Sequence, residues 1–327
     1  MTDRILDFSD QPARLSVRNG LLLLRLGAHG EADHPQPDES CHPERSEGSA
    51  CSSPVSVSLE RTIPLDDIAV LVAAHPQVSF TLAVVAGLAR AGAILVACDE
   101  KRQPAAMLLP LAAHHLQTER YAAQARLALP ARKRLWQQIV RAKIAAQAEL
   151  LLERTGKDCG LALIAGRVRS GDPNNLEAHA ARIYWPALLG ESFRRSPEGD
   201  GVNPILNYGY AVLRAAVARA ICAAGLHPTF GLHHRNRYDA FCLADDLMEP
   251  FRPLVDCVAT RLAEERGEKL VLDRELKQKL LEPLVGRFTC AGESRTLFDW
   301  VARMAFSLAA VVDGSAAKLE IPVLRDA

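Results

Sequence analysis

The chain has 327 residues and is 49% hydrophobic, enough to bury a sizeable core in one large domain or two ordinary ones. Its 39 basic and 39 acidic residues cancel, so the whole-chain charge gives no indication of nucleic-acid binding. The eight cysteines form no CxxC pair, which argues against a zinc ribbon or a thioredoxin-type motif and favours reduced thiols in a cytoplasmic protein. The charged N-terminus lacks the apolar centre of a signal peptide, and the uncharged stretch 68–89 contains a His-Pro-Gln sequence, so we expect buried core there and no membrane span.

The N-terminal part of the chain alternates short apolar runs with turn residues, the pattern of a β-rich domain. Asn19 and Gly20 form a strong two-residue hairpin signal, because both residues tolerate positive φ. A short helix is predicted at 81–91. Strands are predicted at 4–8, 13–17, 21–26, 55–59, 68–72 and 93–98.

Residues 27–55 differ from their surroundings, since they are rich in Pro, Ser, Gly, Glu and His and carry almost no large apolar side chains. Such a segment cannot bury enough apolar surface to offset the entropy lost on ordering, so we predict a disordered insertion. Cys41, His42 and Cys51 lie within it, but their irregular spacing favours coincidence over a metal site.

From residue 108 onwards the sequence becomes helical, and we place the domain boundary between 1–107 and 108–327. Positive charge is concentrated at 120–169, where eleven Lys or Arg residues accompany three acids. Apolar residues at helical spacing leave these cations free to form either an ordinary solvated face or a surface for phosphates. The candidate DNA-binding residues are Arg132, Lys133, Arg134, Arg141 and Lys143, with Arg182 in the following helix.

Side chains able to bind a metal ion are concentrated at 229–256, between two helical segments. Asp246 and Glu249 are three residues apart, which places both carboxylates on one face of a helix. Taken alone, these acids could equally stabilise a helix N-terminus, and a histidine here could be structural. The candidate ligands are His233, His234, Asp245, Asp246 and Glu249.

Aromatic residues and prolines around this stretch have structural interpretations. Pro250 and Pro253, within a helical pattern, indicate a kink or a helix start. Core or interface packing is the default role of the aromatics, and base stacking at a DNA end is the alternative. These aromatics are Tyr184, Trp185, Tyr208 and Tyr210.

Several long motifs, in order along most of the chain, resemble the CRISPR-associated integrase-endonuclease family Cas1, in the branch that accompanies type II systems. They read RTIPLDDIAVLVAAHPQVSFTLAVVAGLARAGAILVACDE, NNLEAHAARIYW, LNYGYAVLRAAVARAICAAGLHP and GLHHRNRYDAFCLADDLMEPFRPLVD. In that family a small β-rich N-terminal domain precedes an all-helical catalytic domain. The resemblance therefore implies an α+β fold with the same division.

The resemblance also implies a metal site built from a glutamate, a histidine and a second acid. By motif these residues correspond to Glu177, His234 and Glu249, and their oxygen and nitrogen donors suit Mg²⁺ or Mn²⁺. Glu249 stands where relatives often have aspartate. Asp246 is similar to a supporting acid of the family, and His233 would replace His234 if the motif were shifted by one residue.

The activity implied by the resemblance is that of an integrase and endonuclease of CRISPR adaptation. In this reaction the 3′-hydroxyl of captured protospacer DNA attacks the CRISPR repeat by transesterification. The implied partners are DNA, the Cas2 protein, a second copy of the chain through the β-rich domain, and the type II effector nuclease. Two alternatives stay open, a metal-dependent nuclease that cuts without joining and a DNA-binding protein whose acids hold no catalytic ion.

Overall fold

The computed structural model describes residues 3–26, 60–99, 104–110, 112–267 and 270–326. The insertion predicted at 27–55 and the strand predicted at 55–59 lie outside the described residues. The predicted α+β class is confirmed, because strands dominate the N-terminal part and helices dominate the rest.

The N-terminal part contains two sheets. In the first, β1 (Arg4–Phe8), β5 (Ile68–Ala73) and β7 (Ile94–Cys98) run parallel, and β8 (Pro104–Leu108) pairs antiparallel with β7. The predicted domain boundary, between residues 107 and 108, therefore falls at the end of β8.

The second sheet is built around the predicted hairpin. Asn19 and Gly20 have φ values of 52° and 75° and connect two strands that pair antiparallel, as the sequence predicted. A 3₁₀ turn (Leu65–Asp67) follows this sheet, and α1 (Leu82–Arg90) packs on it. The strand order is β4 (Glu60–Pro64), β3 (Leu21–Leu26), β2 (Ala13–Arg18) and β6 (Ser79–Phe80).

Strand β5 is buried on both faces and joins the two parts of the protein. Ile68 and Leu71 belong to the core between the two sheets, whereas Val70 and Val72 belong to the core shared with the helices. A strand covered on both sides is expected to be continuously apolar, as the run Ile-Ala-Val-Leu-Val is. Within the uncharged stretch 68–89, β5 is therefore protein core as predicted, whereas β6 and the start of α1 are exposed, with Leu82 81% exposed.

The helical part surrounds a long central helix, α6 (Asn203–Ala223), which contacts β5 and β7 on one side and several helices on the other. Among the described residues, no helix is both long enough and apolar enough to cross a membrane. The other helices are α2 (Gln117–Ala125), α3 (Leu129–Thr155), α4 (Leu161–Arg167), α5 (Leu176–Leu189), α7 (Cys242–Met248), α8 (Arg252–Arg266), α9 (Arg274–Leu281) and α10 (Leu297–Val312).

One feature of the helical part differs from the sequence analysis, which predicted helices throughout. Between α9 and α10 the chain makes a hairpin of β9 (Arg287–Cys290) and β10 (Glu293–Thr296), and β11 (Arg325–Asp326) pairs with β9. Ala291 and Gly292 adopt positive φ in the tight turn between β9 and β10. Apolar and polar residues alternate only briefly in these four-residue strands, so the amphipathic helices on either side dominate the sequence pattern.

Gly209 allows α6 to approach its neighbours closely. A Cβ atom at this position would lie 2.5 Å from Val255 Cγ1 and 3.3 Å from Leu280 Cδ2. Gly166, in the exposed last turn of α4, has nothing within 4 Å of the corresponding position. The two glycines therefore provide a matched pair for testing how tightly the core is packed.

We expect Gly209→Ala to lower the free energy of unfolding by about 1–3 kcal/mol, because the added methyl overpacks the contact between α6 and α8. Gly166→Ala should raise it by up to about 1 kcal/mol, because alanine has the higher helix propensity. Urea unfolding of both variants checks this pair. Equal stability of Gly209→Ala and the wild type would show that α6 and α8 are less tightly packed than described.

Candidate functional site

Lys143 lies between the two glutamates that the sequence analysis selected. Its Nζ is 2.6 Å from Glu177 Oε1 and 2.5 Å from Glu249 Oε2. The lysine comes from α3, Glu177 from the first turn of α5, and Glu249 from the connection between α7 and α8. One ammonium group thus brings together three segments that are distant in the sequence.

Glu177 is positioned by a capped helix start. The Asp172 carboxylate accepts hydrogen bonds from the backbone N–H groups of Leu176 at 2.9 Å and Glu177 at 3.0 Å. Asn175, immediately before the helix, adopts a left-handed conformation with φ of 51°. These contacts satisfy the free N–H groups at the start of α5 and fix the direction of the Glu177 side chain.

Glu249 lies in a sharp connection that the prolines create. A 3₁₀ turn (Glu249–Phe251) separates α7 from α8, with Pro250 in the turn and Pro253 in the first turn of α8, so the predicted kink is confirmed. The Glu249 side chain is only 3% exposed, and its second oxygen, Oε1, lies 3.1 Å from Arg252 Nη2. Burial alone would raise the pKa of Glu249, but Lys143 and Arg252 hold it below its usual value.

Asp246 shapes the loop that carries the histidines. Its fully buried carboxylate accepts hydrogen bonds from the backbone N–H groups of Leu232 at 2.5 Å, His233 at 3.0 Å and His234 at 3.2 Å. A Cβ atom at Gly231 would lie 2.3 Å from the His234 carbonyl oxygen, so only glycine fits this turn. The Gly-Leu-His-His sequence is therefore wrapped around one carboxylate.

The two histidines have different environments. His234 Nδ1 lies 2.7 Å from Asp246 Oδ1, and its Nε2 makes no hydrogen bond to any residue the structure describes. This contact with Asp246 raises the pKa of His234 despite its partial burial. The His233 ring instead stacks on Trp136, with the centroids 4.3 Å apart and the planes 2° from parallel. The geometry thus supports His234 as the site histidine and a packing role for His233.

Two cavities open on either side of His234. The larger, about 320 Å³, is lined by Met107, Arg195, Asn207, Tyr210, Ala211, Arg214, His234, Asp245, Met248 and Arg252. The smaller, about 280 Å³, is lined by Gln124, Ala125, Arg132, Thr229, Phe230, Gly231, His234, Arg235, Asn236, Arg237, Asp239 and Cys242. Both have the dimensions of small ligand sites, and both contain arginines, as expected of sites for anions.

A buried polar network lies behind Glu249. The Asp256 carboxylate accepts hydrogen bonds from Tyr184 Oη at 2.8 Å and from Tyr210 Oη, and burial raises the pKa of Asp256 to about 6. The Arg252 guanidinium lies 4.8 Å from the centre of the Tyr210 ring. Tyr184 and Tyr210 therefore have structural roles, and the network holds Arg252 against Glu249.

The predicted metal ligands are only partly assembled in this arrangement. Within the described ranges, no three His, Cys, Asp or Glu side chains are close enough to share an ion. Glu177 and Glu249 do share the Lys143 ammonium, and the charge of His234 helps to lower the pKa of Glu249. Two carboxylates that share one cation, together with an imidazole oriented by a third carboxylate, fit the donor set that Mg²⁺ or Mn²⁺ prefers.

Asp245, another candidate ligand from the sequence, has a different partner. Arg214 Nη2 lies 2.6 Å from Asp245 and 2.8 Å from Asp239, so one guanidinium joins α6, the histidine-bearing loop and α7. Burial, together with a hydrogen bond to Asp239, raises the pKa of Asp245 to about 6. The sequence could not indicate this, because an acid beside Asp246 looks like an equally good ligand.

The six candidate DNA-binding cations fall into three groups. Lys143 pairs with the glutamates, and the Arg141 guanidinium donates hydrogen bonds to the Val168 carbonyl at 2.8 Å and 3.1 Å. Arg132 lines the smaller cavity. The side chains of Lys133, Arg134 and Arg182 are exposed. Lys143 follows Ile139 and Val140 by four and three residues, and this position on the apolar face of α3 could have indicated a buried role.

We expect Asp246→Asn to lower the free energy of unfolding by about 2–3 kcal/mol, because the amide cannot accept all the hydrogen bonds that the buried carboxylate accepts. Asp66→Asn, at an exposed acid, is the matched control. Urea unfolding gives the stability, and NMR of the imidazole nitrogens reports whether His234 keeps its proton on Nδ1. A variant with unchanged stability and an unchanged His234 signal would contradict the role of Asp246.

Comparisons with known proteins place the chain in a family. Residues 55–282 match the family model described as CRISPR associated protein Cas1. The CRISPR-associated endonuclease Cas1 of Neisseria meningitidis serogroup C is 40% identical over 265 residues, which span 80% of this chain and 86% of that protein. The resemblance found in the sequence motifs is confirmed.

Solved structures show the same fold. A casposase bound to integration product has a TM-score of 0.75 and 20% identity, covering 97% of this chain and 92% of that one. A chain of a Cas6-RT-Cas1–Cas2 complex has a TM-score of 0.68 and 18% identity, covering 96% of this chain and 35% of the other. With the family match and the Neisseria relative, the conclusion is that this chain belongs to the Cas1 family of CRISPR-associated endonucleases.

Proposed function

We propose that this protein joins the 3′-hydroxyl ends of protospacer DNA to the CRISPR repeat by metal-dependent transesterification. The observation that carries the proposal is the convergence of Glu177 and Glu249 on a single cation position, with the oriented imidazole of His234 close enough to lower the pKa of Glu249. A carboxylate pair beside a histidine is the arrangement expected of a divalent-metal phosphoryl-transfer site.

Each side chain has a defined task in this proposal. Glu177 and Glu249 supply oxygen ligands for Mg²⁺ or Mn²⁺, and His234 supplies Nε2. Asp246 holds the imidazole through Nδ1 and so directs Nε2 away from itself. When bound, the ion polarises the phosphodiester and lowers the pKa of the attacking hydroxyl.

The proposed reaction conserves phosphodiester bonds. The 3′-oxygen of the protospacer loses its proton and forms a bond to a phosphorus atom of the repeat. The bond from that phosphorus to its own 3′-oxygen breaks, and the leaving oxygen takes up a proton. Because the number of phosphodiester bonds is unchanged, the reaction needs no nucleotide cofactor, only groups that align the two DNA segments and stabilise charge at phosphorus.

The smaller cavity is the better candidate for holding the DNA backbone. Among the described residues, no carboxylate forms an ion pair with the guanidinium groups of Arg132, Arg235 or Arg237. Free guanidinium groups around a cavity next to the site are suited to phosphate oxygens.

The larger cavity has the opposite character, because its arginines already have protein partners. Arg195 donates hydrogen bonds to Asn203 and Asn207, Arg214 pairs with Asp239 and Asp245, and Arg252 pairs with Glu249. These contacts leave fewer donors for a phosphate. We therefore place the DNA backbone beside Arg132, Arg235 and Arg237.

The partners of this chain follow from its relatives. One structural neighbour is part of a complex that contains Cas1 and Cas2, which supports an assembly of this chain with Cas2. A homodimer formed through residues 1–107 and an association with the type II effector nuclease complete the proposed assembly.

An integration assay tests the reaction. The protein, Cas2, a DNA duplex with 3′-hydroxyl ends and a supercoiled repeat plasmid are incubated with Mn²⁺ or Mg²⁺. We expect joined products, reduced by about a hundredfold or more in Glu177→Gln, His234→Ala or Glu249→Gln, because each variant removes one proposed ligand.

His233→Ala is the matched control for this assay, and it should retain joining because its ring packs on Trp136. Full joining by His234→Ala, with loss in His233→Ala, would reverse the histidine assignment. Ion-dependent cutting without joined products would support the nuclease alternative instead. Binding of DNA without any reaction would leave only the DNA-binding role.

Replacing both exposed arginines of the smaller cavity, Arg235 and Arg237, with alanine should weaken duplex binding. It should also make the negative slope of log affinity against log salt shallower by roughly 1 to 2. Arg90→Ala, at an exposed arginine that lines neither cavity, is the charge-matched control. Fluorescence anisotropy across a salt series measures both. An unchanged slope in the double variant would place the DNA backbone elsewhere.

A further inference from the structure

The Lys143 ammonium stands in electrostatic conflict with the proposed metal site. Its Nζ contacts both Glu177 and Glu249 within 2.6 Å, and its side chain is 12% exposed. A divalent ion shared by the same two carboxylates would be strongly repelled by an ammonium at this position. The lysine and the ion therefore compete for one place.

We propose that Lys143 is an internal counter-cation, which holds the two glutamates at ion-sharing distance and is displaced when a divalent ion binds. The inference rests on the proposed function, since it takes Glu177 and Glu249 as metal ligands. It assigns Lys143 a positioning role inside the site, in place of the DNA contact suggested by its position in a basic helix.

The need for such a cation follows from burial. Glu249 is 3% exposed and Glu177 is 23% exposed, so two carboxylates face each other with little water between them. Unpaired charges in such a place are costly, and a single ammonium that is hydrogen-bonded to Glu177 and ion-paired with Glu249 offsets the repulsion. The lysine thus keeps the segments of α5 and α8 close enough for an ion to enter between them.

Lys143 is also the cation best suited to leave. Its charge is at the end of a flexible four-carbon chain, which can swing aside without moving α3. Arg252, the other cation on Glu249, is held over the Tyr210 ring at 4.8 Å and bonds to the opposite oxygen, Oε1. After Lys143 withdraws, Glu249 therefore keeps one partner while Oε2 becomes available.

The test compares Mn²⁺ binding and thermal stability in Lys143→Met, which keeps an unbranched side chain one atom shorter and removes its charge. In EDTA the variant should melt below the wild type, because the carboxylates lose their shared cation. Its Mn²⁺ affinity, measured by titration with electron paramagnetic resonance, should be at least about tenfold higher, because the competitor is gone. Addition of Mn²⁺ should raise its melting temperature more than that of the wild type.

Lys157→Met, at an exposed lysine just beyond α3, is the matched control and should change neither quantity. If Lys143→Met is unfolded in EDTA, the proposal requires that Mn²⁺ restores its folded circular-dichroism spectrum. Lys143→Met combined with Glu177→Gln, which removes one charge of each sign, should recover stability in EDTA and bind Mn²⁺ more weakly than Lys143→Met alone.

The outcomes distinguish a failure of the metal site from a failure of the counter-cation role of Lys143. If the wild type binds Mn²⁺ and Glu177→Gln weakens that binding, the metal site stands. In that case, an affinity in Lys143→Met equal to or below the wild-type value would overturn the counter-cation role alone. A wild type with no affinity for Mn²⁺, or one insensitive to Glu177→Gln, would overturn both the metal site and the role of Lys143.

Discussion

The contact of one ammonium group with two glutamates is the constraint on which the site depends. Lys143, Glu177 and Glu249 belong to three elements that are otherwise held together by apolar packing, and apolar packing does not specify where polar atoms lie. A buried charge, by contrast, must find an opposite charge at hydrogen-bonding distance. Because Glu177 is fixed by the start of α5 and Glu249 by the turn between α7 and α8, their shared ammonium constrains how these segments lie against α3.

A second carboxylate organises the other half of the site in the same manner. Asp246 takes hydrogen bonds from three successive backbone N–H groups of the loop and from the His234 ring, so the loop conformation and the imidazole orientation are set together. Gly231 is what permits this tight wrapping. The rigid half of the site is therefore built around a carboxylate with several hydrogen bonds, whereas the Lys143 contact is held by a flexible side chain that can move.

Much of this structure could be predicted from local sequence patterns. Strands β1 and β3 and the Asn19-Gly20 hairpin begin and end where alternation and turn chemistry predict, and the kink at Pro250 follows from the missing N–H of proline. The resemblance to Cas1 predicted Glu177, His234 and Glu249 as metal ligands; the structure brings the two glutamates together on Lys143, and the ligand assignment stays a prediction. The small sheet of β9, β10 and β11 was missed, because very short strands give little periodicity and β11 comes from the distant C-terminal end of the described chain.

The partners of buried charges could not be predicted, because helical periodicity gives the face on which a residue lies but not what meets that face. The local excess of positive charge predicted Lys143 as a DNA-binding residue, but its ammonium lies between Glu177 and Glu249.

Anomalous diffraction from crystals grown with Mn²⁺ and a DNA duplex is the most direct test of the proposed metal site and of the role of Lys143. We expect a manganese ion bound to Glu177, Glu249 and His234 Nε2, with the Lys143 ammonium turned away. A manganese ion bound elsewhere, with Lys143 still between the two glutamates, would contradict it.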